Sequence, residues 1–227
     1  GKAQSIEDGG IRMLLKERLA GGPGIVETRG DTAVEIGALV TDSREKAEAG
    51  LFFCISGMRF DAHDFAAQAV GNGCVALVVE HFVDSPVAQV RVDNVRRAAA
   101  YIAAAFYGHP ARKLRMVGVC GTKGKTTTTY LMKAILEKAG FKTGLIGTTG
   151  NLIGDRSLPS NMTTPDPVDL HRCLRQMVDE GVEAVSMEVS AHAVDMHRVD
   201  GITFEAACYT NFSQDHLDYF GTMQNYF

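Results

Sequence analysis

Two hydrophobic periods run through the chain: short continuous apolar runs, and longer stretches with apolar residues every three or four positions. Together they predict an ordered series of strands and helices. Residues 11–20 carry the helical period and are closed by Gly21-Gly22-Pro23-Gly24. Residues 36–40 and 51–55 read as strands, and residues 56–61 as a polar turn. Residues 64–70 form a helix ended by Gly71-Asn72-Gly73, and residues 75–79 and 87–92 are two more strands. Residues 94–107 are an alanine-rich helix that Gly108-His109-Pro110 stops.

After a linker at 108–113 the order becomes strand (114–119), glycine turn, helix (127–139) and strand (143–147). In the helix, Tyr130, Leu131, Ala134 and Ile135 share a stripe, with Lys133, Glu137 and Lys138 off it. A glycine-rich stretch at 148–167 reads as irregular. A helix (168–180), strands at 184–189 and 204–209, and a helix starting near Met223 complete the pattern. Strands alternating with helices imply an α/β fold with a parallel sheet. The expected organisation is a small α/β domain over 1–110 and a second, parallel-sheet domain over 111–227. Four strands are few for such a sheet, so the second domain is expected to be incomplete and the chain a piece of a longer protein.

Composition narrows the function classes. The 227 residues are 45% hydrophobic and 22% charged, ordinary for a globular protein with a real core. A net charge of -4 without a basic block gives no reason to expect nucleic acid. No apolar run reaches membrane-spanning length, and no signal-peptide pattern opens the chain. The 5 cysteines form no CxxC pair and read as free thiols of a reducing compartment, which implies a cytoplasmic location.

The glycine turn carries the strongest chemistry. Gly121-Thr122-Lys123-Gly124-Lys125-Thr126-Thr127 lies between a strand and a helix. Glycines let N–H groups turn inward, and a helix N-terminus favours an anion. Lys125 is placed to reach terminal phosphates, and the Thr126 hydroxyl to ligate Mg²⁺. The spacing departs from the general phosphate-loop pattern, which has glycine where Val119 stands. The plain alternative is an ordinary glycine turn.

Four further groups could serve such a loop. Glu188 ends a strand, where a metal-binding carboxylate belongs in a parallel sheet, or is a solvent-facing charge. Asp215-His216-Leu217-Asp218 follows the next strand; imidazole is a poor Mg²⁺ ligand, so composition favours a capping or core role for His216. Thr163 and Thr164 could bind an anion or cap a helix. Thr41-Asp42-Ser43-Arg44 and the loop Met58-Arg59-Phe60 offer polar groups for a nucleotide, or a simple turn.

In this order, Gly121-Thr-Lys-Gly-Lys-Thr-Thr, Thr163-Thr164-Pro165, Glu188-Val-Ser-Ala-His192, Thr210-Asn211 and Asp215-His216-Leu217-Asp218 resemble the Mur ligases of cell-wall synthesis. Asp42-Ser43-Arg44 and Leu51-Phe52 look most like the member that adds the third peptide residue. The resemblance implies a three-domain enzyme: an N-terminal domain for the uridine diphosphate end of the substrate, a central ATPase, and a C-terminal domain for the incoming amino acid. The last domain, and a carbamylated lysine expected just past Phe227, are absent from this chain, so the fragment by itself is expected to be inactive.

By the same resemblance, Gly121, Thr122, Lys123, Gly124, Lys125, Thr126 and Thr127 bind ATP, and Lys125 neutralises the γ-phosphate. Thr126, Glu188 and His216 hold Mg²⁺. Thr41 and Ser43 meet the uridine diphosphate end, and Thr163, Thr164, Ser190 and Arg198 position the acidic and peptide portions. Lys123, Ala191, Met162 and Met196 depart from the usual residues. The implied activity is ATP-dependent joining of a diamino acid to UDP-MurNAc-L-Ala-D-Glu through an acyl phosphate, by a monomer without nucleic-acid or membrane partners. Rival readings are another Mur-type or folylpolyglutamate-type ligase, and a non-catalytic nucleotide-binding module.

Overall fold

The computed structural model describes residues 12–16, 24–57, 60–158 and 162–227. The chain divides into two compact units, Gly1–Tyr107 and Gly108–Phe227.

In the first unit, five strands form one sheet: β2 (Ile25–Arg29), β4 (Ala38–Val40), β5 (Gly50–Phe53), β6 (Cys74–Val79) and β7 (Ala88–Val92), in the order β2-β7-β6-β5-β4. β4 to β7 pair in parallel, and β2 joins the edge antiparallel. β2 was not expected from the sequence: four of its five residues are exposed, so no alternation marks it. The helix expected over 11–20 is corrected at its start. Met13–Leu14 form β1, antiparallel to β3 (Glu35–Ile36). The pairing satisfies backbone groups that a short isolated helix would hold only marginally. Residues 11 and 17–20 lie outside the described residues.

A 3-10 turn at Ala62–Phe65 leads into α1 (Ala66–Gly71), and α2 spans Val95–Phe106. Asn94 caps α2 by accepting the Arg97 N–H. Phe52, Cys54, Leu77 and Val79 of the sheet pack with Ala66 and Ala69 of α1.

The second unit holds a six-stranded sheet ordered β11-β10-β9-β12-β8-β13. Its strands are β8 (Arg115–Cys120), β9 (Thr143–Gly147), β10 (Gly150–Ile153), β11 (Arg156–Leu158), β12 (Ala184–Glu188) and β13 (Ala206–Tyr209). β9, β12, β8 and β13 are parallel, while β10 and β11 add an antiparallel hairpin. The hairpin falls in the stretch expected to be irregular and raises the expected four strands to six. Its helices are α3 (Lys125–Lys138), α4 (Pro167–Asp179), α5 (Ala191–Asp195), α6 (Leu217–Phe220) and α7 (Met223–Tyr226). Met116, Ile146, Leu170, Leu174, Met177, Val185 and Met187 form its core.

The phase of α3 differs from the hydrophobic pattern. The expected stripe faces outward, with Leu131 60% and Ile135 62% exposed, whereas Thr129 and Lys133 are buried. The phosphate loop explains this. Thr126 must face Glu188 on β12, so positions three and seven residues on, Thr129 and Lys133, follow it onto the sheet. The buried Lys133 ammonium is satisfied by Glu137 Oε1 at 2.5 Å, and that oxygen also accepts from Thr143 Oγ1 at 2.8 Å. The Lys133 bond, foremost, holds the Glu137 carboxyl below its ordinary range.

Candidate active site

The carboxyl ends of the four parallel strands meet at one place. β8 runs into the glycine turn, β9 into Thr148, β12 ends on Glu188 and β13 leads to Thr210. β8 stands where the chain's crossovers part: α3 carries it to β9 on one side, and β13 later pairs on the other. Ligands collect at such a switch point.

The turn is shaped from two directions. Gly121 has φ +124°, and a Cβ there would stand 2.2 Å from Thr210 Oγ1, so only glycine fits. Gly124, with φ +84°, starts α3. From β13's end, Thr210 Oγ1 and Asn211 Nδ2 both donate to the Lys123 carbonyl, at 2.7 and 2.8 Å. Asn211 Oδ1 accepts the Lys123 N–H at 3.1 Å, and the Asn211 carbonyl accepts the Thr122 N–H at 2.9 Å. The main-chain donors of Thr122 and Lys123 are therefore spent on Asn211. The N–H groups of the first turn of α3, from Lys125 to Thr127, have no intrahelical partner and remain for an anion. Lys125 Nζ donates to the carbonyls of Gly121 (2.8 Å) and Thr122 (3.1 Å), folded over the cradle it is expected to serve.

Glu188 is 1% exposed. Its Oε2 accepts from Thr126 Oγ1 and Thr148 Oγ1, each at 3.1 Å, and its Oε1 from the Thr148 N–H at 3.0 Å. The space comes from Gly147, where a Cβ would lie 2.3 Å from Oε1. A buried carboxylate beside a threonine hydroxyl is a hard oxygen donor set that suits Mg²⁺. The residues present fit that ion.

His216 has a left-handed backbone (φ 53°) and precedes α6. Its ring lies edge-on to His192 and Tyr226, with centroids 4.8 and 5.8 Å away. Tyr226 in turn reaches the loop, its hydroxyl 3.0 Å from Thr122 Oγ1. The segment carrying His216 is also tied to the loop by the Ser213 N–H, which donates to Thr122 Oγ1 at 3.0 Å. Burial, foremost, and the neighbouring His216 lower the pKa of His192.

The residues expected to meet substrate divide. Thr164 is fully buried and spent on the scaffold: its hydroxyl donates to the Glu188 carbonyl (2.9 Å) and accepts the Ser190 N–H (3.2 Å). Arg198 donates to the Thr164 carbonyl at 2.9 Å and pairs with Asp166 at 2.9 Å. Ser190 Oγ caps α5 through the Ala193 N–H. Thr163 Oγ1 lies 3.1 Å from Thr148 Oγ1. In the first unit, Ser43 Oγ donates to Gln68 Oε1 at 2.8 Å, and Asn72 Nδ2 donates to the Ser43 carbonyl. Thr41 is exposed beside it. Asp42 pairs with Arg44 at 2.6 Å, and that bond foremost lowers its carboxyl to about 2. Met58, Arg59 and Asn161 lie outside the described residues.

Sequence reasoning did not single out Thr148, Gly147, Asp166 or Tyr226. Their types carry no signal until the strands align their ends. A separate group in the first unit, Asp61, His63 and His81, has the composition of a metal site. Its geometry speaks against one. The His63 and His81 rings stack at 4.1 Å, so their lone pairs run side by side rather than converging. Both His63 nitrogens are already engaged, Nδ1 with Asp61 at 2.5 Å and Nε2 with the Glu80 N–H at 3.0 Å.

Residues 119–227 match the family profile "Mur ligase middle domain". The chain is similar to the Mur ligases. It is 50% identical, over 94% of its length, to the UDP-N-acetylmuramoyl-L-alanyl-D-glutamate--2,6-diaminopimelate ligase of Geobacillus thermodenitrificans, covering 44% of that protein. It is 43% identical, over 88% of its length, to the ligase of the same name from Geobacter metallireducens, covering 40% of it. A solved structure of a ligase of that name superposes with a TM-score of 0.78 at 25% identity, over 94% of this chain and 43% of the other. The MurF ligase of Thermotoga maritima, solved in complex with ADP, superposes with a TM-score of 0.54 at 26% identity, over 83% of this chain and 40% of the other. The chain thus spans less than half the length of the curated relatives it matches. Among its described residues, no helix is long and apolar enough to cross a membrane.

Proposed function

We propose that this chain is the substrate-nucleotide and ATP-binding part of a cytoplasmic Mur ligase that joins 2,6-diaminopimelate to UDP-MurNAc-L-Ala-D-Glu at the cost of ATP. The observation that carries the reading is the buried Glu188 carboxylate 3.1 Å from Thr126 Oγ1, at the N-terminus of the helix that follows the glycine turn. The diamino acid is taken from the names of the relatives.

A carboxylate is a poor electrophile. Transfer of the γ-phosphoryl group to the D-glutamyl γ-carboxylate makes an acyl phosphate, and the incoming amine displaces phosphate from it. Such transfer is a matter of position and charge stabilisation. The N–H groups of Lys125, Thr126 and Thr127 receive the phosphates. Lys125 exchanges the carbonyls of Gly121 and Thr122 for the terminal phosphate. Thr126 and Glu188 would hold Mg²⁺, with His216 toward a second ion, and an ion held there would supply positive charge against the negative charge of the transferred group. Thr163 and Ser190 keep hydroxyl capacity toward the acceptor, whereas Thr164 and Arg198 hold the strand ends in register. Thr41 and Ser43 face the uridine diphosphate end.

The test uses the full-length protein. Phosphate release is expected only when ATP, UDP-MurNAc-L-Ala-D-Glu and diaminopimelate are all present, and Lys125→Ala should abolish it. Release independent of either acceptor or amino acid overturns the reading. Efficient release with lysine instead of diaminopimelate corrects the amino acid alone.

A further inference from the structure

Thr148 sits in the two-residue turn between β9 and β10, where Gly147 pairs with Gly150 and Gly150 takes the left-handed position (φ +118°). It makes two bonds to one carboxylate, N–H to Glu188 Oε1 at 3.0 Å and Oγ1 to Oε2 at 3.1 Å. The same Oγ1 lies 3.1 Å from Thr163 Oγ1. A hydroxyl has one proton, and a carboxylate can only accept. The direction is therefore fixed: Thr148 donates to Glu188 and accepts from the Thr163 hydroxyl.

The two bonds act differently from the Thr126 bond. The Thr126–Glu188 hydrogen bond would give way if the two residues held a metal jointly. The Thr148 bonds reach both carboxylate oxygens, Oε1 as well as the Oε2 shared with Thr126, so Thr148 would still hold the carboxylate if the Thr126 bond were exchanged for a metal. Groups that orient a ligating carboxylate in this way commonly change metal affinity by about 10–100-fold.

We propose that Thr148 is a positioning residue that orients Glu188 for the metal and connects it to the acceptor side through Thr163. This rests on the ligase reading above. An anionic acceptor that draws the Thr163 proton to itself takes a donor from Thr148, so metal binding and acceptor binding are coupled through one hydroxyl.

The experiment follows Mn²⁺ binding to the full-length protein with the non-hydrolysable analogue AMP-PNP, read by electron paramagnetic resonance, with and without UDP-MurNAc-L-Ala-D-Glu. Thr148→Val keeps the shape and the main-chain bond and removes the hydroxyl. It is expected to weaken Mn²⁺ binding about 10–100-fold and to abolish the change the acceptor causes in the parent protein. Thr148→Ser should restore both to within about threefold, which a merely structural role for the side chain would not require. Melting temperatures of all three proteins separate misfolding from misplacement. If Thr148→Val does not fold, Thr148→Ala and Thr148→Ser are compared in the same way. Equal Mn²⁺ affinity in folded Val (or Ala) variant and parent, or an acceptor effect that survives the loss of the hydroxyl, overturns the proposal. A parent protein that binds no Mn²⁺ with the nucleotide overturns the ligase reading as well.

Discussion

His171 on α4 is 1% exposed, and neither of its ring nitrogens has a hydrogen-bond partner. Burial, foremost, and the nearby His109 lower its pKa from 6.5 to about 4. An unfolded chain takes up the proton near 6.5, so it binds more protons than the folded one between the two values. Stability must then fall as pH drops through that window and level off below about 4. At about 1.4 kcal/mol per tenfold change in protonation, the window amounts to roughly 3 kcal/mol. The side chain is too deeply buried for solvent screening to reduce this much.

His171→Leu should remove that slope. At pH 7 the change should be neutral or mildly stabilising, because it also removes two unsatisfied polar atoms. Urea denaturation of parent and variant, followed by circular dichroism at pH 7, 6, 5 and 4.5, gives the difference; subtracting the variant cancels the carboxylates that titrate in both. Proton NMR of the ring should show His171 titrating near 4, well below exposed histidines. Parallel stability curves for parent and variant, or a ring that titrates near 6.5, would refute the reasoning.

Other consequences can be checked directly. Gly147→Ala puts a methyl group 2.3 Å from Glu188 Oε1, and calorimetric titration with AMP-PNP and Mg²⁺ should show affinity reduced by more than about tenfold, with about 1–3 kcal/mol of lost stability. Gly73→Ala combines φ +105° with a Cβ 1.9 Å from the Ala47 carbonyl; it should cost more than about 3 kcal/mol, seen as faster amide exchange confined to the first unit. Glu137→Leu leaves the buried Lys133 ammonium without its nearest partner and should cost about 3–5 kcal/mol in a denaturation midpoint, whereas Lys133→Met should cost far less because Glu137 reaches water.

Where backbone geometry and local hydropathy agree, the sequence was readable. The crossovers, the glycine turn and the strand-end place of Glu188 follow from apolar runs punctuated by glycine. The phase of α3 did not follow, because the chemistry of Thr126 outranks the burial of Leu131 and Ile135. The β10–β11 hairpin was hidden because its strands are short and glycine-bounded, and β2 because its edge position leaves it nearly all exposed. At the site, the expected substrate contacts Thr164 and Arg198 prove to be bonded within the scaffold, and Thr148 surfaced only through its distance to Glu188. Residue type named the candidates; strand register decided which of them face the cradle.

The clamp on Lys123 from Thr210 and Asn211 joins residues 87 and 88 positions apart. The nucleotide cradle is therefore no self-contained module, although its glycines and lysine are contiguous. A peptide spanning β8, the turn and α3 would lack the partners that spend the Thr122 and Lys123 donors and hold the turn open. During folding, the anion-binding shape must wait for β13 to dock beside β8, so affinity for nucleotide is acquired late and with the completed sheet edge.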